Sequence, residues 1–221
     1  MVNVLDKVQP RNKTQLKRLI DYAFKHNIYD LNFIDTSKIT NMSNLFMNCE
    51  YDIDVSNWDV SNVTTAFCMF VGCKKFNSDL SNWDVSNVKN MNNMFYCCKN
   101  FDCDLSNWNV SNVTDMYSMF TACENFKGKG LDNWDVSKAE DMRFMFYNCK
   151  NFNCDLSNWD MSKALRINEM FYGCKNFEGK GLENWKLEKT LFYYDIFTGC
   201  DKVKLPSWYK AFLKRCNLEF F

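Results

Sequence analysis

Apolar residues along the chain follow one long rule, L-x-x-W-x-V-x-x-V-x-x-M-x-x-M-F-x-x-C-x-x-F, which returns every 25 or 26 residues. The stretch 79–101, DLSNWDVSNVKNMNNMFYCCKNF, is followed 25 residues later by DLSNWNVSNVTDMYSMFTACENF. Tryptophan falls on this beat at Trp58, Trp83, Trp108, Trp134, Trp159 and Trp185. A cysteine series keeps time with it at Cys73, Cys98, Cys123, Cys149 and Cys174. A fixed period of this size means one supersecondary unit stacked on copies of itself. Seven registers are visible over residues 30–203; the first has Ile34 at the tryptophan position, and the last reads NWKLEKTLFYYDIF.

Within the unit, W-x-V alternates with period two, which predicts a short strand such as 83–85. The following positions have period three, which suits tight 3₁₀-like turns around a core. MFxxCxxF can make one helical turn. Each unit is then one coil, with W-x-V strands stacked as a parallel sheet about 4.8 Å apart. The ends of such a stack need covers. Leu16, Leu19, Ile20, Ala23, Phe24 and Ile28 share a helical stripe, with Asn12 as N-cap and Gln15 reaching back. At the other end, Trp208, Ala211, Phe212 and Cys216 follow Pro206 on a short helix. The expected organisation is a capping helix region at 1–29, a seven-unit solenoid at 30–203 and a terminal cap at 204–221.

The recurring WDVSNVTxMxxMFxxC wording resembles the BspA-like leucine-rich-repeat family, over about 170 of 221 residues. The resemblance implies a leucine-rich-repeat-like, right-handed β-solenoid and non-catalytic binding. Many relatives are exported adhesins. This chain opens on MVNVLDKVQPRNKTQLKRLIDYAF, without an uninterrupted apolar segment, so it does not read as a secretory signal. The expected compartment is cytoplasmic, and the sequons at Asn12, Asn41, Asn62 and Asn112 read as accidents of an Asn- and Ser-rich repeat.

Charge narrows the partners. The 27 basic and 27 acidic residues cancel, which leaves no electrostatic footprint for nucleic acid or an anionic membrane. No apolar run reaches membrane-spanning length. Aromatic residues at 17% supply a large core.

Candidate chemistry is sparse. The cysteines recur once per coil where a small apolar side chain packs, so they read as reduced core thiols. The C-x4-C pairs Cys98/Cys103 and Cys149/Cys154 lack zinc-like spacing, and no metal or cofactor is expected. His26 is the single histidine and lies in the cap helix, away from any nucleophile. KGKG at 127–130 and EGKG at 178–181 lack the phosphate-loop frame and coincide with the 26-residue units, so they read as inserted turn residues. The series Met69, Met94, Met119, Met145 and Met170 is core filling.

If Trp and Val of W-x-V point inward, the residue between them faces solvent. That gives a row of Asp59, Asp84, Asn109, Asp135 and Asp160, ending in Lys186. Like charges at strand spacing repel. The row is either a binding face for a basic or polar partner, or a solvated side whose carboxylates cap local backbone donors. The sequence points to a non-enzymatic scaffold binding a protein through its strand face, as a monomer or with weak self-association. An assembly role in a particle or filament is the alternative, and glycan or surface binding the third.

Overall fold

Asn90 bridges in parallel to Thr65 of the preceding coil and to Asp115 of the following one. The same bridge continues through Asn41, Thr65, Asn90, Asp115, Asp141, Arg166 and Phe192, stacking seven coils as a repeat solenoid. The structure, a computed structural model, describes residues 7–216. Two α-helices flank the stack: α1 at Lys13–Lys25 and α2 at Ser207–Arg215.

The W-x-V strand expected from the sequence does not form. Among the described residues no continuous strand appears; each coil contributes one residue of the V-x-x-M phase to the bridge column instead, and further isolated bridges join Val8 to Ile34 and Asp30 to Asp54. Asx turns explain the shift. Asp79 and Asp84 accept the N–H groups of Ser81 and Ser86 at 2.9 and 3.0 Å. Between them Trp83 N–H donates to Leu80 O, and Val88 N–H to Val85 O. Backbone donors spent on turns every five residues are not available to a ladder.

The coil-to-coil hydrogen bonds run instead along the segment after the bridge. The N–H groups of Met91, Asn93, Phe95 and Cys97 donate to the carbonyls of Asp115, Tyr117, Met119 and Thr121 at 2.8–3.0 Å. The intervening groups close i→i−3 turns, with Met94 N–H on Met91 O and Cys98 N–H on Phe95 O. The period-three spacing therefore does become tight turns. The alternation needs a left-handed backbone at Asn93 (φ 56°) and Cys97 (φ 61°). Such a conformation costs a non-glycine residue about 1–2 kcal/mol, comparable to what the hydrogen bonds return. The 26-residue coils place their extra residue in a turn, as expected: Gly130 has φ 89° and opens a 3₁₀ turn over Leu131–Asn133. A Cβ there would lie 2.2 Å from the Ser106 nitrogen, so only glycine fits.

Three ladders fill the interior. Phe70, Phe95, Phe120, Phe146 and Phe171 stack nearly parallel at centroid distances of 5.5–5.7 Å. Trp58, Trp83, Trp108, Trp134, Trp159 and Trp185 are all buried. Each indole N–H donates to a carbonyl of the preceding coil; Trp108 reaches Leu80 O at 2.9 Å. Cys73, Cys98, Cys123, Cys149 and Cys174 do the same through their thiols, reaching Phe46, Phe70, Phe95, Phe120 and Phe146 carbonyls at 2.8–3.0 Å.

The covers form with adjustments. Asn12 Oδ1 accepts the Gln15 N–H, and Gln15 Oε1 takes Arg11 N–H at 2.8 Å. Leu16, Ile20 and Ala23 are buried, whereas Ile28 lies past the end of α1 and is exposed. In α2, Tyr209 is the buried residue; Ala211 and Cys216 are exposed, because Pro206 is the cap and the helix starts at Ser207. The parts of the expected caps at 1–6 and 217–221 lie outside the described residues.

Candidate interaction face

The coils carry up to three Asx corners each, and the acidic row belongs to the second. In coil 104–128 the corners are Asp104, Asn109 and Asp115, accepting the N–H groups of Ser106, Ser111 and Tyr117 at 3.0–3.1 Å. Asp59, Asp84, Asn109, Asp135 and Asp160 do lie exposed on one side, as the sequence indicates. Every one of them accepts the N–H of a serine two residues on, at 3.0–3.1 Å. The Ser86, Ser137 and Ser162 donors hold the carboxyls of Asp84, Asp135 and Asp160 below the ordinary range. Repulsion from Asp160 pushes Asp135 the other way and is outweighed. The side next to the row is tied by Asn62, Asn87 and Asn112, whose amides donate to the carbonyls of Ser37, Ser61 and Ser86.

The first corner carries ion pairs between coils. Asp104 meets Lys129 at 2.7 Å and Asp155 meets Lys180 at 2.6 Å. Glu124 holds both Lys99 and Lys150, at 2.8 and 2.6 Å. The lysines, with serine donors on the two aspartates, pull the carboxyls of Asp104, Asp155 and Glu124 down to about 2.

The cysteines are free thiols, and those of the ladder are buried. Burial pushes Cys98, Cys123, Cys149 and Cys174 up, which keeps them protonated. The C-x4-C pairs do not share surroundings. Cys98 lies in the ladder, while Cys103 Sγ sits 3.1 Å from the Leu80 nitrogen in place of a backbone acceptor. His26 Nδ1 is 2.8 Å from the Tyr22 carbonyl, and its ring packs on Tyr22. Among the described residues no group of three or more His, Cys, Asp or Glu is placed to hold a metal ion. No helix there is long and apolar enough to cross a membrane.

A different side of the solenoid departs from the repeat. Two residues after each bridge stand Ser43, Phe67, Asn92, Tyr117, Arg143, Asn168 and Tyr194. No two neighbours in this column are alike, although the Trp, Phe and Cys columns hardly change. In its middle Arg143 grips Asp141 through Nε and Nη2 and lies 5.0 Å over the Tyr117 ring. Phe144 packs edge-on against Tyr117 at 5.6 Å, and Tyr147 stacks on Tyr172 at 4.8 Å. Asp115 is held by Asn90 and Asn92, and Asp141 also takes Arg166 at 3.6 Å. At one end Gly72, between Asn48 and Cys97, leaves a cleft of about 610 Å³ rimmed by Lys74, Lys75 and Tyr96. Sequence reasoning missed this side because it took W-x-V for the strand. The available signal was the change of large aromatic and guanidinium side chains at this phase from coil to coil.

No curated protein matches the chain. A solved structure described as "Crystal structure of TLR13-ssRNA13 complex" is similar over 87% of this chain and 26% of that one, at 12% identity and a TM-score of 0.33. The chain thus spans about a quarter of that protein's length, and the likeness is too loose to bear on fold or function. The family model described as "Mycoplasma protein of unknown function, DUF285" matches residues 14–130 and 103–208, which takes in nearly all of α1, every coil and the start of α2, so the chain belongs to that family.

Proposed function

We propose that the protein is a non-enzymatic scaffold of the BspA-like, leucine-rich-repeat kind, which binds another protein through the varied side beside the bridge column. One observation carries this reading: large side chains that change from coil to coil, Phe67, Tyr117, Arg143 and Tyr194, stand there. The repeat keeps whatever a coil needs in order to stack. Residues that differ from coil to coil on a solvent side serve no common stacking purpose, and here they include aromatic and guanidinium groups of the kind that dominate protein interfaces. The acidic row of Asp59, Asp84, Asp135 and Asp160 is assigned to corner formation, since each carboxylate is engaged by its own serine. A non-catalytic role accords with thiols held protonated by burial and a histidine committed to the Tyr22 carbonyl.

The test is a capture from native lysate with three baits. The parent protein defines a partner. A variant with Tyr117→Ser, Phe144→Ser, Tyr147→Ser and Tyr172→Ser should lose it, while one with Asp59→Asn, Asp84→Asn, Asp135→Asn and Asp160→Asn should retain it. The opposite pattern would return the binding face to the acidic row.

A further inference from the structure

In the segment after the bridge the backbone hydrogen bonds between coils run one way, whereas the residue just before the bridge donates backward, as Leu191 N–H does to Leu165 O. At every internal seam the N–H groups after the bridge point to the following coil: Ile167, Glu169, Phe171 and Gly173 donate to the carbonyls of Phe192, Tyr194, Ile196 and Thr198. In the last coil the equivalent donors belong to Tyr193, Asp195, Phe197 and Gly199. Among the described residues none of these four has an acceptor. Helix α2 covers part of this end, since Trp208 and Tyr209 pack on Phe197, and Phe212 on Tyr193. It does not reach the bridge side. There Leu191 is 67% exposed, Phe192 49% and Tyr194 48%, the three most exposed apolar side chains in the solenoid.

We propose that this end of the ladder is an edge-docking site for an extended segment of a partner protein, carrying apolar side chains with lysine or arginine between them. A second copy in two-fold arrangement is unsuited along residues 193–199, because this stretch offers only donors to the next layer and would meet its own donors. A second copy stacked head to tail is unsuited as well. Its first coil presents the right carbonyls, but α1 and α2 both lie in the gap. A helix is about 10 Å thick, against a coil spacing of about 4.8 Å. A single extended chain beside α2 has the right thickness, and its carbonyls can take the Tyr193 and Asp195 N–H groups by strand addition. Leu191, Phe192 and Tyr194 offer apolar contact for alternate side chains.

Charge fixes the rest of the partner's character. Asp195 stands next to Glu169, and their proximity, after desolvation, raises the Glu169 carboxyl. Neither is ion-paired among the described residues. Asp195 receives only the Thr198 hydroxyl. The nearby cations are already engaged: Arg166 with Asp141, and Arg215 with the Tyr193 hydroxyl at 2.8 Å. A basic side chain between Tyr172 and Tyr194 would relieve the two carboxylates and lie against aromatic faces. The site shares Tyr172 and Tyr194 with the varied side above, and it stands whether or not that side binds.

The experiment uses two synthetic nine-residue peptides, alternating valine with lysine and valine with glutamate, titrated into the full-length ¹⁵N-labelled protein. The lysine peptide should shift the Tyr193, Asp195 and Gly199 amides and slow their hydrogen exchange at least fivefold. The glutamate peptide should leave them unmoved, and Glu169→Lys with Asp195→Lys should invert the preference. Equal response to both peptides, or shifts scattered over the solenoid, would overturn the proposal. So would amides already protected in the free protein at all concentrations, since the chain's own residues would then occupy the edge.

Discussion

The indole nitrogen of Trp108 donates to the carbonyl of Leu80, 28 residues earlier and one coil back, at 2.9 Å. The bond repeats at every tryptophan of the stack, and Trp208 of α2 continues it onto Leu182 at 2.8 Å. Tryptophan is therefore both core filler and coil-to-coil tie.

Trp108→Ala should cost about 3–5 kcal/mol from lost burial and the cavity left behind. Trp108→Phe keeps most of the apolar volume but removes one of the two donors to the Leu80 carbonyl, which keeps the Trp83 N–H, for about 0.5–1.5 kcal/mol. Trp208 is only partly buried. Its alanine variant should cost less than that of Trp108, as read from urea midpoints at constant slope. Equal losses would contradict the end-cover role of α2.

Thiol accessibility should follow depth. Cys216 is exposed, Cys97 and Cys200 are half-buried, and the other nine of the twelve are buried. A thiol reagent at neutral pH should label Cys216 quickly, Cys97 and Cys200 slowly, and the rest only after denaturation without reductant. Burial raises Cys103 and Cys154 to about 11. The folded state thus holds protons that the unfolded chain gives up. Stability should be full below the ordinary thiol range of about 8.5 and fall as pH rises towards 11. A urea midpoint that climbs over that interval would refute the assignment.

Acid acts on another set. The carboxyls of Asp104, Asp155 and Glu124 are depressed to about 2. Their contribution should be present above the ordinary carboxylate range and vanish as pH falls towards 2. These pairs face water, so the effect is modest and screened by salt. Lys129→Met should flatten the acid limb of the stability profile in low salt and change nothing in 1 M sodium chloride.

The acidic row separates charge from geometry. Replacing Asp59, Asp84, Asp135 and Asp160 with asparagine preserves the acceptor, as Asn109 already shows by taking the Ser111 N–H at 3.1 Å. The fourfold variant should stay within about 1 kcal/mol of the parent, since surface changes that keep their bonds cost little. The fourfold alanine variant loses four turn acceptors and should lose about 0.5–1.5 kcal/mol per site. Similar thermal unfolding of the two would mean that the Ser N–H bonds contribute nothing.

The repeat, its inward columns and its covers were legible because burial imposes a strict phase. Trp83 has to recur at Trp108, or the stack has a hole. The position of the ladder was not legible. W-x-V alternates like a strand, and only the serine two residues after Asp84 signals that the chain turns there. The left-handed residues were hidden too, because the structure places Phe144 (φ 58°) and Glu169 (φ 56°) where sequence habit would put glycine. Their conformation is dictated by the donors that must face the next coil, a non-local demand that no short window of sequence carries.

The one-way ladder also bears on how such a protein changes length. Every internal seam offers the same donors to the same acceptors, so a whole coil can be added or removed without leaving an orphaned group at the join. Removing residues 104–128 would bring the carbonyl of Asp141 to the Met91 N–H and the Trp134 indole to the Leu80 carbonyl, the partners already in use one coil away. A deletion of a few residues within a coil has no such refuge, since it throws three interior columns out of phase at once. Growth and shrinkage by entire units are thus the changes this architecture absorbs.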